Sequence, residues 1–464
     1  MASLANAILE EKLDQIQWFL RSDTDVNGID EYGFTPLIEA AIADSTPIAE
    51  LLLKYGADPN LQDMTGGTAL HWAAENNNVE LATLLLKHGA NPNAYTFAGQ
   101  PVLVMPLLRD QQVLKKLLQN AGANLTFAQD YINAKLLGHM FELVGTADIL
   151  DPHKHFVELN FEGFYLEFSL AMIAESLNQF KNHFASRQIR RYEKYTGLIV
   201  EVIQRAALLA KYQQYRVDID KHNNEINDLI QQEPLLIPVG YEGHAITFIK
   251  AGNILVKCDR REDSRLYDNI VFYYIENIKN MTIDFIKDLI YVKQTSEYIN
   301  DDLPQILHLK PITELKVTAQ ISGNCSWANV EASIPALFFL LFSEAKDFND
   351  AISKYKNMAI HFFQQWREWN KTRALNFCIQ SFKESDAIRK ACKAEILAAI
   401  LYQSCKGDQR DDEDRIQSIL EVLATPQYDY VLQNYIKVYC YEDISVEGKS
   451  FLSMLKRHDY AIKK

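Results

Sequence analysis

Cysteines are few in this sequence, and none lies at a spacing that predicts a metal site or a disulfide framework. Structural zinc sites need closely spaced ligands, and small secreted domains depend on dense disulfides. This cysteine usage is typical of a protein that works in a reducing cytosol, and we expect no metal and no other cofactor. The six cysteines, none in a C-x-x-C pair, are Cys258, Cys325, Cys378, Cys392, Cys405 and Cys440.

An excess of positive charge is also missing. The sequence has 47 Lys and Arg residues against 61 Asp and Glu residues, for a formal net charge of −14. Nucleic acids and anionic membranes are bound through basic surfaces, so this balance argues against broad binding to either. A local basic cluster remains at Arg187, Arg190 and Arg191, but such a run is more often a solvated helix face.

Long apolar segments are absent as well. The first 19 residues include Glu10, Glu11 and Asp14 and contain no apolar core of the kind that a secretory signal needs. The longest apolar run, residues 334–342, is far shorter than the roughly 20 residues that span a bilayer. The sequence therefore predicts a soluble protein without membrane insertion.

What the chain has is length and apolar content. A chain of 464 residues is too long for a single hydrophobic core, so two to four domains are expected. Apolar residues make up 48% of the sequence and aromatic residues 11%, which favours well-packed globular domains over disorder.

The first part of the chain is periodic. Asn27, Asn60 and Asn93 are 33 positions apart (60−27 and 93−60), and residues 35–41 recur as residues 68–74. This period and the T-P-L pattern resemble the ankyrin repeat. The resemblance implies four repeats over residues 1–125, with the first and the last degenerate.

Ankyrin repeats stack into a solenoid with an exposed binding face, and we expect no chemistry there. In the repeat pattern, hairpin tips and inner-helix positions face outward, and large apolar groups at such positions anchor partner proteins. We interpret His71 as a structural hydrogen-bonding residue between repeats. The predicted outward residues are Tyr32, Met64 and Phe97 at the tips and Glu39, Trp72 and Met105 on the inner helices.

After the repeats, the pattern predicts three further segments. Residues 126–151 read as a helical connector that ends at Asp151 and Pro152. Residues 152–345 favour an α+β domain with a helical insertion near 170–232, and residues 346–464 favour an α-helical domain. The expected fold class is thus an ankyrin solenoid followed by an α+β domain and a C-terminal helical domain.

Cys325 is the candidate nucleophile. It lies between a predicted strand at 312–319 and a buried helix at 327–342, so it is placed at the first turn of that helix. Unpaired N–H groups and the helix dipole lower a thiol pKa there. Gly323 permits a sharp turn and leaves room over the sulfur, and Gln320 and Asn324 could stabilise an oxyanion. For a lone cysteine, however, a buried structural role is more common.

His244 and Asp259 supply the second half of the candidate site. Two apolar strands, at 241–250 and 254–259, are joined by a short turn at residues 251–253, which predicts a hairpin. Both residues then lie at its open end, where the carboxylate can hold the imidazole while the imidazole removes a thiol proton. Asp263 and Asp268 are the alternative acids.

The order His…Asp…Gln…Cys over residues 235–342 resembles the ubiquitin-like-protein protease clan, which also includes bacterial effector acetyltransferases. The resemblance implies that His244 is the base, Asp259 its orienting acid, Cys325 the nucleophile and Gln320 an oxyanion donor. Gln320 is closer to the cysteine than in that clan, so Asn324 or backbone N–H groups could share its role. Ala245 follows the histidine in place of the familiar Trp, which leaves the shape of the substrate channel open.

Ankyrin repeats joined to a His–Asp–Cys module resemble the ankyrin-repeat effectors that Legionella injects into host cells. The resemblance implies export by bacterial type IV secretion machinery through a C-terminal signal, with which the acidic segment 441–448 is compatible. It leaves open whether the host compartment is the cytosol or the nucleus.

Three functions remain open on the sequence. The first is an enzyme of the cysteine protease or deubiquitinase type that cleaves a peptide or isopeptide bond in a host protein selected by the repeats. The second is acyl transfer by the same triad. The third is a non-catalytic scaffold that binds a host protein through the repeats and carries a decayed thiol site.

Overall fold

The computed structural model of the chain describes residues 4–22, 24–213, 219–241, 243–260, 269–320, 323–343, 352–405, 410–440 and 445–460. The chain divides into two compact units. We call one the repeat unit; it comprises Met1–Leu136, Gly145–Asn160 and Ala387–Cys392. We call the other the sheet unit; it comprises Leu137–Val144, Phe161–Asp386 and Lys393–Lys464.

The repeat unit contains successive helix pairs, as the 33-residue period predicts. Thr35 caps its helix by accepting the N–H of Ile38 at 3.2 Å, and Pro36 occupies the first helical position, where a missing N–H costs nothing. The helices are α1 (Leu4–Leu9), α2 (Leu13–Arg21), α3 (Pro36–Ile42), α4 (Thr46–Lys54), α5 (Ala69–Glu75), α6 (Val79–Lys87), α7 (Val104–Leu108) and α8 (Gln112–Asn120).

The asparagine that recurs every 33 residues fastens each repeat to the next one. Asn60 donates from Nδ2 to the carbonyl of Gly89 at 3.0 Å, and its Oδ1 accepts the N–H of Asn91 at 2.7 Å. Asn27 and Asn93 make the equivalent pairs of bonds. The recurring asparagine therefore has a structural role, because its side chain hydrogen-bonds the backbone of the next repeat.

His71 links repeats as the sequence predicts. Its Nδ1 lies 3.0 Å from the hydroxyl of Thr68, and its Nε2 lies 3.3 Å from the carbonyl oxygen of Gln100 in the following repeat. Burial lowers the pKa of His71 to about 4, so the ring is neutral at pH 7. The structural interpretation is confirmed.

The segment after the repeats is only partly helical. Helix α9 (Leu125–Met140) is followed by β1 (Thr146–Leu150) and β2 (Phe156–Asn160), which pair as an antiparallel hairpin. A helical connector up to residue 151 is thus wrong for residues 146–150. The N–H groups of His153 and His155 both donate to the Asp151 carboxylate at 2.8 Å, and this bonding closes the hairpin turn.

In the described part of the sheet unit, five antiparallel strands form one sheet. Each strand lies beside its neighbour in the sequence, so the sheet is a simple meander. The strands are β3 (Leu235–Tyr241), β4 (His244–Ala251), β5 (Ile254–Cys258), β6 (Ile270–Ile275) and β7 (Leu309–Leu315). The hairpin predicted from the sequence is the pair β4–β5 and is confirmed.

Alternating residues of β4 divide between two layers of the sheet unit. Ile246 and Phe248 belong to a hydrophobic core cluster that also contains Ile230 and Ile286, which lie on two helices of the sheet unit. Thr247 points to the other face, where its hydroxyl donates to the carbonyl of Asn329 at 3.1 Å. The helix that carries Cys325 therefore packs directly against the strand that carries His244.

The remaining helices surround this sheet or continue toward the C-terminus. A 3-10 helix, Phe184–Tyr192, separates the first two of these helices, and Gly197 lies inside the second. The helices are α10 (Leu166–Asn182), α11 (Glu193–Ala210), α12 (Asn223–Ile230), α13 (Ile283–Tyr291), α14 (Leu303–Leu307), α15 (Cys325–Ser343), α16 (Ile352–Glu384), α17 (Ala387–Gln403), α18 (Arg410–Leu423), α19 (Asp429–Cys440) and α20 (Val446–Arg457). Short 3-10 helices cover Lys211–Gln213, Ile219–His222 and Ile278–Asn280, and a π-helix covers Tyr298–Asp302.

Helix α15 is the central helix of the sheet unit. Nearly all of its side chains are buried, including Trp327 and Phe339. Among the described residues it alone is long and apolar enough to cross a membrane, but most of it is buried within the protein, as in the core helix of a globular domain.

Candidate functional site

Cys325 begins α15, and the turn before it depends on a glycine. Gly323 has a φ of +81°, which L side chains rarely adopt, and a Cβ there would lie 2.7 Å from the Cβ of Glu162. The N–H of Gly163 donates to the carbonyl of Gly323 at 3.1 Å. The expected sharp turn is confirmed, whereas the space left by the missing side chain is filled by Glu162.

His244 and Asp259 meet at one end of the β4–β5 hairpin. His244 opens β4 and Asp259 directly follows β5, and their Nε2 and Oδ1 atoms are 3.0 Å apart. The second carboxylate oxygen lies 3.5 Å from Nζ of Lys257, and the N–H of Asp259 donates to the carbonyl of Asn269 at 2.9 Å. The contact expected from the hairpin is therefore present, and the acid is held from several sides.

The thiol of Cys325 lies beside this pair. The N–H of Ala245 donates to Sγ at 3.4 Å. Burial alone would raise the pKa of Cys325, but its hydrogen bonds to His244 and Ala245 outweigh burial, and the pKa lies below its ordinary value. For His244, burial would lower the pKa, but hydrogen bonds to Asp259 and Cys325 raise it. Each group thus favours the charged form of the other, as in a thiolate–imidazolium pair.

The orientation of the imidazole follows from these contacts. Its Nε2 is used by Asp259, so Nδ1 is the nitrogen that remains to face the sulfur of Cys325. A carboxylate on one ring nitrogen holds the other nitrogen in a fixed direction for proton transfer.

The other cysteines differ from Cys325 in burial and in acidity. All five are buried, whereas Cys325 is partly exposed. Burial raises the pKa of both Cys258 and Cys405 to about 12. Burial also raises the pKa of Cys440, whereas the pKa of the partly exposed Cys325 is lowered, so a thiol reagent should select Cys325.

A cavity of about 570 Å³ opens onto the sulfur. Its wall combines glycines with aromatic and apolar side chains, and it carries one acidic and one basic residue. The lining residues are Glu162, Gly163, Phe164, Leu166, Gly240, Tyr241, Gly243, His244, Ala245, Lys293, Gly323, Cys325 and Ser326. Its volume lies within the range of roughly 300–1,000 Å³ that is typical of ligand-binding pockets.

The two amides predicted as oxyanion donors lie elsewhere. Both ends of the Asn324 amide bind His139, with Oδ1 2.6 Å from its Nδ1 and Nδ2 donating to its carbonyl at 3.2 Å. Gln320 is not among the residues that line the cavity, and its N–H donates to the carbonyl of Arg260 at 2.9 Å. Asn324 is therefore a support of the turn and not a group that faces the thiol.

The alternative acids and part of the predicted secretion signal are not among the described residues. The alternative acids Asp263 and Asp268 lie outside the described residues, and so does the first half of the acidic segment 441–448.

The sequence interpretation missed a buried polar network around the site. Asn329, one turn after Cys325, donates to the carbonyl of Ala245 at 2.6 Å and accepts the N–H of Arg260 at 2.7 Å. The signal was available, because an asparagine in a predicted buried helix needs polar partners.

Arg260 extends this network into a buried ion cluster. Its guanidinium lies 2.9 Å from Glu142 and 3.5 Å from Glu331, and Arg367 lies 2.6 Å from the same Glu142 oxygen. The indole of Trp327 donates to Glu331 at 2.8 Å. Burial would raise the pKa of Glu142, but the two guanidinium groups hold it below its usual range.

The ankyrin tips form a second candidate site in the repeat unit. Tyr32, Met64 and Phe97 are 65%, 75% and 70% exposed, in agreement with their predicted outward positions. The tips also touch one another: a Cβ on Gly33 would lie 2.8 Å from Sδ of Met64, and one on Gly66 would lie 2.9 Å from Cδ1 of Phe97.

The inner-helix predictions are largely wrong. Met105 is 3% exposed and Glu39 is 4% exposed, so neither can contact a partner. For Met105 the reason is that Val102, Leu103 and Val104 are buried with it, which leaves this short helix no exposed apolar face. Trp72 is half-buried, and its indole N–H donates to Asp63 at 3.1 Å.

Comparison with known proteins gives a family match over the repeats and a structural match over the full length of the chain. A family model for ankyrin repeats matches residues 4–96 as three copies. No curated protein sequence matches the chain significantly. Among solved structures, that of the Legionella effector AnkH is similar, with 39% identity and a TM-score of 0.85 over 100% of this chain and 98% of that chain.

Proposed function

The chain belongs to the family of the Legionella effector AnkH, and from this premise we propose that it is an injected effector that binds a host protein and acts on it through the thiol of Cys325. The repeats recognise the host protein, since ankyrin repeats are protein-binding modules. The reaction is hydrolysis of a peptide or isopeptide bond. The observation that carries the chemistry is the contact of His244 with both Asp259 and Cys325.

In the first step the thiolate of Cys325 attacks the carbonyl carbon of the substrate, and a C–S bond forms as the carbonyl becomes an oxyanion. Collapse of this intermediate breaks the C–N bond, and the amine leaves with the proton that His244 held. In the second step His244 removes a proton from water, which attacks the thioester. The products are a carboxylic acid and the regenerated thiol. Asp259 stabilises the imidazolium in both steps.

The start of α15 supplies an oxyanion donor in this proposal. The N–H groups at a helix N-terminus have no intrahelical acceptors, and they point out along the helix axis. The N–H of Ser326 already contacts Sγ of Cys325, which leaves the N–H of Cys325 itself for the substrate oxygen. Gln320 and Asn324 are not required.

Partner selection rests on the exposed tips Tyr32, Met64 and Phe97. Large apolar side chains at the end of a hairpin have no core to fill, and residues of this type dominate protein interfaces. The acyltransferase and scaffold alternatives use the same tips, so they differ from the hydrolase in the fate of the captured protein.

Alkylation of Cys325 by iodoacetamide as a function of pH tests the thiol site. We expect a labelling midpoint below the free-thiol value of about 8.5 in the wild type, and a rise of the midpoint in His244→Ala. His155→Ala, a change of the same kind at an exposed histidine of the repeat unit, is the matched control and leaves the midpoint unchanged. The enzymatic proposal would be overturned if the wild-type midpoint lay at or above the free-thiol value of about 8.5 and His244→Ala had the same midpoint.

Capture from host-cell lysate then separates the three functions. A captured protein that is shortened by the wild type but not by Cys325→Ala supports hydrolysis, whereas one that gains an acyl group supports acyl transfer. A captured protein that neither variant modifies supports the scaffold.

A further inference from the structure

Asn329 is a fully buried polar residue in α15, a helix that is mostly apolar and almost entirely buried. It lies four positions after Cys325, so the two side chains project from the same face of α15. Its amide has one donor arm and one acceptor arm, and both are used. The donor arm binds the carbonyl of Ala245 at 2.6 Å, and the acceptor arm binds the N–H of Arg260 at 2.7 Å.

These two partners are the chain neighbours of the catalytic base and its acid. Ala245 follows His244 on β4, and Arg260 follows Asp259 after β5. Ala245 also donates its N–H to the sulfur of Cys325 at 3.4 Å. A single amide therefore connects the helix of the nucleophile to the backbone on both sides of the His244–Asp259 contact.

We propose that Asn329 is the positioning residue that sets the distance between Cys325 and the His244–Asp259 pair. This inference rests on the proposed thiol function, since it concerns the geometry of that site. Asn329 is not among the residues that line the cavity in front of the sulfur. It acts by holding the start of β4 and the end of β5 at a fixed distance from the first turn of α15.

The chemistry of the amide explains why asparagine is needed at this position. The carbonyl of Ala245 requires a donor, and the N–H of Arg260 requires an acceptor. A carboxylate can satisfy only the N–H and would repel the carbonyl, while an apolar side chain satisfies neither. Because both backbone groups are at the active end of the hairpin, loss of either bond displaces His244 or Asp259 relative to the thiol.

Asn329→Asp tests the proposal, because it keeps the size of the side chain and the bond to Arg260 but removes the donor to Ala245. The matched control is Thr247→Val, which removes the hydroxyl bond to the carbonyl of Asn329 and leaves both amide bonds in place. Both changes loosen the same contact between β4 and α15. Iodoacetamide labelling of Cys325 is measured against pH for both variants, the wild type and His244→Ala, and thermal unfolding is measured in parallel.

We expect Asn329→Asp to slow labelling at pH 6.5 by roughly tenfold and to move its midpoint toward that of His244→Ala, because about one pH unit of thiol pKa is a tenfold change in thiolate. Thr247→Val should retain the wild-type midpoint. Equal midpoints in Asn329→Asp and Thr247→Val would overturn the positioning role. Should Asn329→Asp fail to fold, Asn329→Ser is measured with the same two outcomes.

The wild type and His244→Ala in the same series keep the two proposals distinguishable. If the midpoint changes in His244→Ala but not in Asn329→Asp, the positioning role is rejected and the thiol function is still supported. A wild-type midpoint that does not respond to His244→Ala rejects both.

Discussion

Replacing Gly323 with alanine should damage the turn before Cys325 for two separable reasons. The backbone at this position has a φ of +81°, and an L side chain there costs about 1–2 kcal/mol. The new methyl group would also lie 2.7 Å from Cβ of Glu162, and overpacking of this kind costs about 1–3 kcal/mol. We therefore expect Gly323→Ala to lower the free energy of unfolding by about 2–5 kcal/mol.

Two further variants separate these costs. Gly163 has a φ of +68° and nothing within 4 Å of where its Cβ would lie, so Gly163→Ala should lose only the backbone cost of about 1–2 kcal/mol. Glu162→Ala removes Cγ and Cδ, which lie even closer to the new methyl group than Cβ does, so the double variant Gly323→Ala with Glu162→Ala should return part of the packing cost, while the Cβ of residue 162 remains. Urea unfolding gives all of these free energies, and alkylation of Cys325 shows whether the turn still presents the thiol.

The steric argument makes a prediction that can be refuted directly. If Gly323→Ala costs no more than Gly163→Ala, and Glu162→Ala does not relieve it, then Glu162 does not occupy the space beside Gly323. The tight turn would then owe its glycine to backbone conformation alone.

Three further predictions concern the base, the partner and the pH dependence. Asp259→Asn should keep the fold but slow hydrolysis of an activated ester by about 10²–10⁴-fold, because the imidazole of His244 loses its orienting carboxylate. A rate within about twofold of the wild-type rate would exclude this role for Asp259. Met64→Ala and Phe97→Ala should each weaken capture of a host protein by more than about 1 kcal/mol while labelling of Cys325 stays intact, and unchanged capture would place the partner elsewhere. His71 is buried and neutral with a pKa of about 4, against 6.5 when exposed, so the unfolded chain binds more protons between these values. Stability of the repeats should therefore fall by on the order of 3 kcal/mol as pH drops from 6.5 to 4, whereas His71→Gln should flatten this dependence in thermal unfolding.

The parts of the structure that the sequence predicts well are those set by spacing along the chain. The 33-residue period predicts the repeats because each repeat makes the same contacts with the next. The β4–β5 hairpin was predictable for a similar reason: two alternating strands with a short turn bring their outer ends together, and with them His244 and Asp259.

The parts that it does not predict depend on contacts between distant segments. Asn324 meets His139 across 185 positions, and Asn329 meets Ala245 across 84. Both asparagines lie near Cys325 in the sequence, and the local pattern cannot tell that each binds a distant segment instead of facing the thiol. Met105 failed for a related reason, since an outward position in a regular repeat becomes a buried one where the repeat is irregular.

The contacts between ankyrin tips also limit how the proposed binding surface can change. Each tip side chain rests on the glycine of the previous tip, as Met64 does on Gly33 and Phe97 on Gly66. A different side chain at a tip keeps its support, whereas any side chain in place of a glycine would push away the next tip. The third glycine, Gly99, is covered by β2, with the carbonyl oxygen of Glu158 2.8 Å from where a Cβ would lie. The proposed binding surface therefore ends at the Phe97 tip, and its side chains can be exchanged while the backbone beneath them stays the same.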